Sequence, residues 1–196
     1  MTIAILGGTF NPIHLGHLFL AEEIRTRCGF DRVLFVPSHI PAHKQVSRIV
    51  SPQARLEMCR LAVENEPAFS VDDCEIKRGG VSYMIDTVRD ISGRHTVEGK
   101  IGVVIGDDLV EGFPGWKNAS ELAERCRVIV VHRRHMERLP APFPHEYCDN
   151  KQIPLSSSEI RERLRSGLSV RFLVPETVLA YVPVSYTHLR AHETVL

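Results

Sequence analysis

Five short apolar runs alternate with helix-like segments along this chain, and that alternation constrains its fold more than any other feature. The runs are rich in β-branched residues, and several are apolar on both faces, as strands buried in a parallel sheet are. They cover residues 2–6, 32–38, 69–76, 100–106 and 127–133. The alternation predicts an α/β fold: a Rossmann-like, doubly wound, mostly parallel sheet with helices on both faces and a small helical C-terminal end.

Helix start and stop signals support the segments between these runs. Residues 15–29 end at Gly29, a typical C-cap, and residues 51–66 begin with Ser51 at the N-cap and Pro52 after it. The other helix-like segments are residues 81–91, 118–126, 156–167 and 175–182. A proline-rich stretch, residues 135–147, predicts a surface loop.

The composition excludes several classes of protein. Lysine plus arginine equals aspartate plus glutamate at 24 each, so no net positive charge favours nucleic acid or an anionic membrane. No apolar run approaches the ~18–20 residues of a membrane helix, and we expect no signal peptide because no basic segment stands before the first run. The five scattered cysteines indicate reduced thiols in a cytoplasmic protein. We expect neither a nucleic-acid nor a membrane partner, and homo-oligomer formation is compatible with the sequence.

The sequence GGTFNPIHLGH, residues 7–17, follows the first apolar run directly and is called the signature turn below. Its glycines let the backbone approach a ligand closely, and the helix start that follows attracts anions. His14 and His17 are three residues apart, so both imidazoles can face one side of the first helical turn and donate to phosphate oxygens. The signature turn therefore predicts a phosphate-binding site. The alternative is a structural turn with two satisfied histidines.

The signature turn matches neither GxGxxG nor a P-loop. It resembles the (H/T)xGH signature of the nucleotidyltransferase superfamily, and more closely the opening of the bacterial nicotinate-mononucleotide adenylyltransferases. The resemblance implies that His14 and His17 are catalytic and that Asn11, where many members have aspartate, contacts the pyridine nucleotide. The residues that it assigns to ATP binding are Gly7, Gly8, Thr9, Phe10 and Gly16.

A second motif, LSSSEIRERLRSG at residues 155–167, resembles the family's Ile-Ser-Ser-Ser-x-Ile-Arg signature. Serines at a helix start expose hydroxyl and N–H groups to an anion, and arginines supply guanidinium groups for phosphate oxygens. A capped helix with a solvated basic face would explain these residues separately, but not the partner motif near the other end of the chain. The resemblance implies a catalytic Arg161 and ATP contacts from Ser157, Ser158, Ile160 and Arg163.

Two further segments resemble the family less closely. Residues 36–44 end in Lys44, which the resemblance makes a catalytic cation near the phosphates. Residues 82–88, with Met84 in place of the usual threonine, imply pyridine-nucleotide contacts from a set of four residues, although the first of them could instead cap the following helix. These four are Ser82, Tyr83, Asp86 and Thr87.

The ends of the fourth and fifth runs complete the resemblance. Gly106 and Asp108 match a Gly-x-Asp segment, in which the acid can accept from ribose hydroxyls of ATP. Trp116, the only tryptophan, would stack on the electron-poor pyridine ring. Arg133 stands where the family carries an arginine that contacts the pyridine nucleotide.

The resemblance implies adenylyl transfer from ATP to nicotinate mononucleotide, with deamido-NAD and pyrophosphate as products. The attacking phosphate is already anionic, so positioning and charge stabilisation would supply the catalysis, with Mg²⁺ arriving with ATP and no metal-ligating residues assigned. Three alternatives stay open: a sister transferase acting on nicotinamide mononucleotide or another phosphate such as phosphopantetheine, a class I tRNA-synthetase-like ligase, and a non-catalytic nucleotide sensor. Residues 1–183 form the expected domain, and residues 184–196 an atypical tail that is non-native or disordered.

Overall fold

The computed structural model describes residues 1–42, 50–135 and 137–182 and contains two parallel sheets. The strands are β1 Ile3–Gly8, β2 Arg32–Pro37, β3 Ile40–Pro41, β4 Phe69–Val71, β5 Val81–Ser82, β6 Gly102–Gly106, β7 Arg127–Val131 and β8 Glu146–Cys148. Six of them form the main sheet in the order β4-β2-β1-β6-β7-β8, and β3 pairs with β5. Counted within the main sheet, this is the 3-2-1-4-5-6 order of a doubly wound fold, so the predicted fold class is confirmed.

The helices fall between the strands, as the alternation predicts. They are α1 Leu15–Cys28, α2 Pro52–Val63, α3 Cys74–Arg78, α4 Met84–Arg94, α5 Ala119–Arg125, α6 Ser157–Arg165 and α7 Glu176–Leu179. The capping predictions are confirmed: Gly29 ends α1 in the left-handed region, and the Ser51 hydroxyl accepts from the backbone N–H of Ala54 at 3.2 Å. Within the described ranges, no helix combines the length and apolar character that crossing a bilayer requires.

The core divides into two layers because alternate residues of each strand point to opposite faces of the sheet. On β1, Ala4 and Leu6 pack into one cluster with residues of α1, α2, α6 and α7. Ile3 and Ile5 pack into the other, with residues of α4 and α5. Both faces of β1 are therefore covered, and the first β-to-α turn is held between two packed layers.

Three local predictions need correction. The run predicted as a strand over residues 69–76 stops at Val71, because the Asp72 carboxylate accepts from the backbone N–H of Cys74 at 3.0 Å and turns the chain into α3. The proline-rich stretch predicted as a loop ends in β8, which pairs with β7 and adds a sixth strand. Ser82 lies in β5 rather than capping α4, and its hydroxyl accepts from the backbone N–H of His39 at 2.9 Å.

Two predictions fall outside the described residues. Lys44 lies in the undescribed range 43–49, and the tail predicted over residues 184–196 lies in the undescribed range 183–196.

Candidate active site

The site lies where the strand order reverses, between the carboxyl ends of β1 and β6. The chain leaves β1 at Gly8, and Phe10 adopts a left-handed φ of 47° while its ring is buried. That ring packs edge-on against His17, with centroids 5.0 Å apart. A Cβ on Gly8 would lie 2.8 Å from the Phe10 ring, so glycine is needed where the turn folds back on the strand.

The two histidines of the signature turn form one unit. His14 is the N-cap of α1, and its ring stacks on that of His17 with centroids 3.6 Å apart. The backbone N–H of His14 donates to Nδ1 of His17 at 3.2 Å, so neutral His17 carries its proton on Nε2 and can donate from there. A Cβ on Gly16 would lie 3.0 Å from Nδ1 of His14, so this glycine leaves the space that the stacked ring occupies.

Burial keeps His14 uncharged at neutral pH. Only 5% of the residue is exposed, and burial, with a smaller contribution from the Arg133 guanidinium, lowers the pKa of His14 to about 4. Among the described residues, its Nδ1 has no hydrogen-bond partner. His14 is therefore a neutral imidazole poised beside a cation, which is a suitable state for receiving an anionic ligand.

The second motif docks directly onto the signature turn. The Ser157 hydroxyl donates to the carbonyl oxygen of Pro12 at 2.8 Å, and Nη1 of Arg161 donates to the carbonyl oxygen of Asn11 at 2.8 Å. The Arg161 guanidinium also donates to the Ser158 hydroxyl at 3.0 Å. Residues 145 to 150 positions apart in sequence thus form one surface, and the positive end of the α6 dipole faces the turn.

Not every residue of the second motif faces that surface. Ile160 is fully buried in the core, where it anchors α6. The Nε of Arg163 donates to the carbonyl of Ser169 at 2.9 Å, which lies beyond the C-terminal end of the helix. These two residues are thus placed to hold α6 in position, while Ser157, Ser158 and Arg161 face the turn.

Two adjacent acids after β6 have different surroundings. The Asp107 carboxylate accepts from three consecutive backbone N–H groups, those of Arg133, Arg134 and His135, at 2.8 to 3.3 Å. Burial favours the protonated acid, but these three donors hold the pKa of Asp107 below its usual value. Asp108 has a buried Oδ1 with no partner among the described residues, and its Oδ2 lies 3.6 Å from the Arg133 guanidinium. A Cβ on Gly106 would collide with the Asp108 carboxylate.

The segment expected to meet the pyridine ring lies at the start of α4. Lys117 crosses the Tyr83 ring, with its ammonium 4.7 Å from the centroid, and pairs with Asp86 at 2.8 Å. Trp116 is partly buried and leans on Phe113, with ring centroids 5.2 Å apart. Thr87 is fully buried and its hydroxyl donates to Glu75, so its side chain holds α3 against α4 rather than facing a ligand.

Comparison with known proteins agrees with this geometry. The model of the cytidylyltransferase-like family matches residues 5–163. A protein of Borrelia garinii named probable nicotinate-nucleotide adenylyltransferase is 47% identical over 182 residues, covering 93% of this chain and 92% of its own. A protein of the same name from Dictyoglomus turgidum is 38% identical over 190 residues, covering 93% of both chains.

The chain belongs to the nicotinate-nucleotide adenylyltransferase family. It is a nucleotidyltransferase. The solved structure of the Plasmodium falciparum nicotinic acid mononucleotide adenylyltransferase complexed with NaAD shares its fold, with a TM-score of 0.70, 17% identity, and coverage of 96% of this chain and 97% of that one. The fold of an adenylyltransferase thus places the signature turn at the point where the strand order reverses.

Sequence reasoning missed several buried polar residues of this adenylyltransferase. Arg55 is fully buried in α2, and Glu75 is buried in α3, where burial raises the pKa of its carboxyl. Asp107 orders the loop after β7, and the Asn150 side chain bonds the backbone of His132 at 2.8 and 3.0 Å. For Arg55 a signal existed: it lies on the helical face shared with Cys59, where a charged residue is unexpected.

Proposed function

We propose that the enzyme transfers the adenylyl group of ATP to nicotinate mononucleotide, giving deamido-NAD and pyrophosphate. The observation that carries this proposal is the direct bonding of α6 to the signature turn, through Ser157 to Pro12 and Arg161 to Asn11, each at 2.8 Å. A single polyphosphate bound beyond β1 would meet both motifs at once. The family, and the solved relatives complexed with NaAD and with APC, support the same reaction.

In this reaction a phosphate oxygen of the mononucleotide attacks the α-phosphorus of ATP. A new bond forms between them, the bond from the α-phosphorus to the bridging oxygen of the β-phosphate breaks, and pyrophosphate leaves. The nucleophile is already an anion, so no side chain has to act as a nucleophile or as a general base. The protein accelerates the step by aligning the two nucleotides and by stabilising charge on the phosphate oxygens.

We assign the stabilisation of the α-phosphate to His17. Its Nδ1 is occupied by the backbone N–H of His14, so Nε2 is the atom that donates to the reacting phosphate. The His14 ring stacks on the His17 ring and is neutral before substrate binds. A bound phosphate then gives the His14 imidazole a favourable anionic partner. The backbone from Gly8 to Phe10 follows β1 directly, and we assign to it the close approach that a phosphate requires.

The leaving pyrophosphate is assigned to the start of α6. Ser158 and the Arg161 guanidinium present hydroxyl and N–H donors there, and the helix dipole adds partial positive charge. Lys44, from the undescribed range, completes the proposed set of cations around the leaving group. Arg163 and Ile160 contribute by fixing the helix.

The nucleosides are assigned to the two sides of the turn. The unpartnered Oδ1 of Asp108 accepts from a ribose hydroxyl of ATP, with Gly106 leaving room for the carboxylate. The pyridine ring stacks on Trp116, near Tyr83 and the first turn of α4. The Arg133 guanidinium lies 3.6 Å from the Asp108 carboxylate and its charge acts on His14, and we assign it to the mononucleotide phosphate.

Mg²⁺ is proposed to enter as part of the ATP complex. We assign the ion mainly to phosphate oxygens, which are ligands that magnesium prefers. When bound, the ion offsets negative charge on the triphosphate.

Since all five cysteines are free thiols, we also assign the reaction to the cytoplasm.

The proposal is tested by measuring pyrophosphate release from ATP with nicotinate mononucleotide, nicotinamide mononucleotide and phosphopantetheine as separate acceptors. We expect turnover with nicotinate mononucleotide to exceed turnover with the other two. His17→Ala should lower kcat by about 100-fold or more. The control, His95→Ala, should not change kcat, because His95 follows the C-terminal end of α4, whereas the proposed pyridine site lies at its start. A preference for another acceptor, or ATP binding without turnover, would refute the proposal.

A further inference from the structure

Arg55 is a fully buried cation next to the site that the reaction scheme does not use. It lies in the first turn of α2, and none of its surface is exposed. Its guanidinium donates to three backbone carbonyls: Thr9 at 2.7 Å, His39 at 3.0 Å and Val50 at 3.3 Å. These acceptors belong to three different segments of the chain.

Burying a guanidinium is costly, so its retention needs a reason. Removing a charge from water costs several kcal/mol even after relaxation, and an apolar side chain of similar size usually stabilises a core as well or better. Part of that cost is offset by the three carbonyl acceptors. What a leucine or methionine could not supply is a planar fork that fixes three carbonyls at once.

The three acceptors connect the two halves of the proposed site. Thr9 belongs to the signature turn, which handles the polyphosphate. His39 follows β2, and its backbone N–H donates to the Ser82 hydroxyl in β5, one residue before Tyr83. Val50 precedes α2, and its N–H bonds Asn11 at 3.4 Å. Arg55 thus joins the polyphosphate turn to the segment proposed to hold the pyridine nucleotide.

We propose that Arg55 is a positioning residue for adenylyl transfer: its guanidinium holds the signature turn and the β3–β5 segment in the relative placement that aligns the two nucleotides. This rests on the proposed function. Each half of the site is built from its own residues, so each nucleotide still binds when the fork is lost. Without the guanidinium, the attacking phosphate is no longer aligned with the α-phosphorus. A displacement of about 1 Å can cost about 100-fold in rate.

The test compares Arg55→Lys, which keeps the charge but not the fork, with Arg55→Ala, which leaves a guanidinium-sized space. Arg60→Lys is the matched control, because Arg60 lies in the same helix with its side chain 52% exposed. We measure kcat, the Kd of ATP and of nicotinate mononucleotide separately, and the melting temperature. We expect kcat of Arg55→Lys to fall by about 100-fold with each Kd within about threefold of wild type, and Arg60→Lys to match wild type.

Chemical rescue separates positioning from a merely structural role. Millimolar guanidinium should restore part of the kcat of Arg55→Ala, whereas methylammonium at the same concentration should not. The inference is overturned if Arg55→Lys keeps wild-type kcat, if the variants lose only thermal stability, or if both Kd values rise in proportion to the loss of kcat. A wild-type enzyme that is inactive with every acceptor would overturn the proposed function itself. An active wild type with any of the results above would overturn only the role of Arg55, so the two failures are distinguishable.

Discussion

Acid should destabilise the fold through His14. Burial lowers the pKa of this imidazole to about 4, whereas an unfolded histidine titrates near 6.5. Between these values the unfolded chain binds a proton that the folded chain excludes, so the free energy of unfolding falls as the pH falls. Above pH 6.5 His14 costs the fold no stability, and between pH 6.5 and pH 4 the loss in the free energy of unfolding grows progressively.

The size of the effect follows from the two pKa values. One pKa unit corresponds to about 1.4 kcal/mol, so the full shift is worth roughly 3 kcal/mol, and about 2 kcal/mol of it is lost by pH 5. Carboxylates held by donors, such as Asp107, lose their contribution progressively below about pH 5, as the carboxylates of the unfolded chain take up protons.

Urea unfolding of wild type and His14→Gln at pH 8, 6.5 and 5 measures this contribution. Glutamine does not titrate, so between pH 8 and pH 5 the variant should lose about 2 kcal/mol less stability than wild type. The comparison cancels every group that titrates equally in both proteins, including Glu75. Parallel pH profiles for the two proteins would refute the claim that burial holds His14 neutral.

Two further predictions concern packing near the site and thiol reactivity. Gly16→Ala should lower kcat by about 10-fold or more, because the added Cβ would lie 3.0 Å from the His14 ring and displace it. An unchanged kcat would contradict the stacked arrangement. Brief iodoacetamide treatment followed by peptide mass spectrometry should label Cys28 first, because the thiol of Cys148 and the Arg127 guanidinium lower its pKa and it is the only one of the five cysteines, all of them described, that is not buried. Equal labelling of buried Cys59 would count against this.

The sequence was sufficient for the parts of the fold that local patterns control. The doubly wound order follows from alternating apolar runs, and the caps at Gly29 and Ser51 follow from residue type. The strand β8 could not be predicted, because three residues after a proline-rich stretch carry too little periodicity. The strand predicted over residues 69–76 exists but ends at Val71, because a single side-chain bond from Asp72 redirects the chain.

The candidate site was predictable as a set of motifs but not as a set of contacts. Arg55 bonds three carbonyls that lie 46, 16 and 5 positions away. Every residue has a backbone carbonyl, so the sequence does not indicate which ones will accept these bonds. The orientation of Arg163 toward Ser169 is likewise set by where the chain runs after α6. Periodicity predicts which face of a helix is buried; it does not predict which partner a side chain finds there.

The central claim is that the signature turn and the start of α6 bind one polyphosphate together. A crystal structure with a non-hydrolysable ATP analogue tests it most directly. We expect triphosphate oxygens within hydrogen-bond distance of both Nε2 of His17 and the donors of Ser158 or Arg161. A triphosphate that touches only one of the two motifs, or that lies away from the carboxyl ends of β1 and β6, would contradict the account.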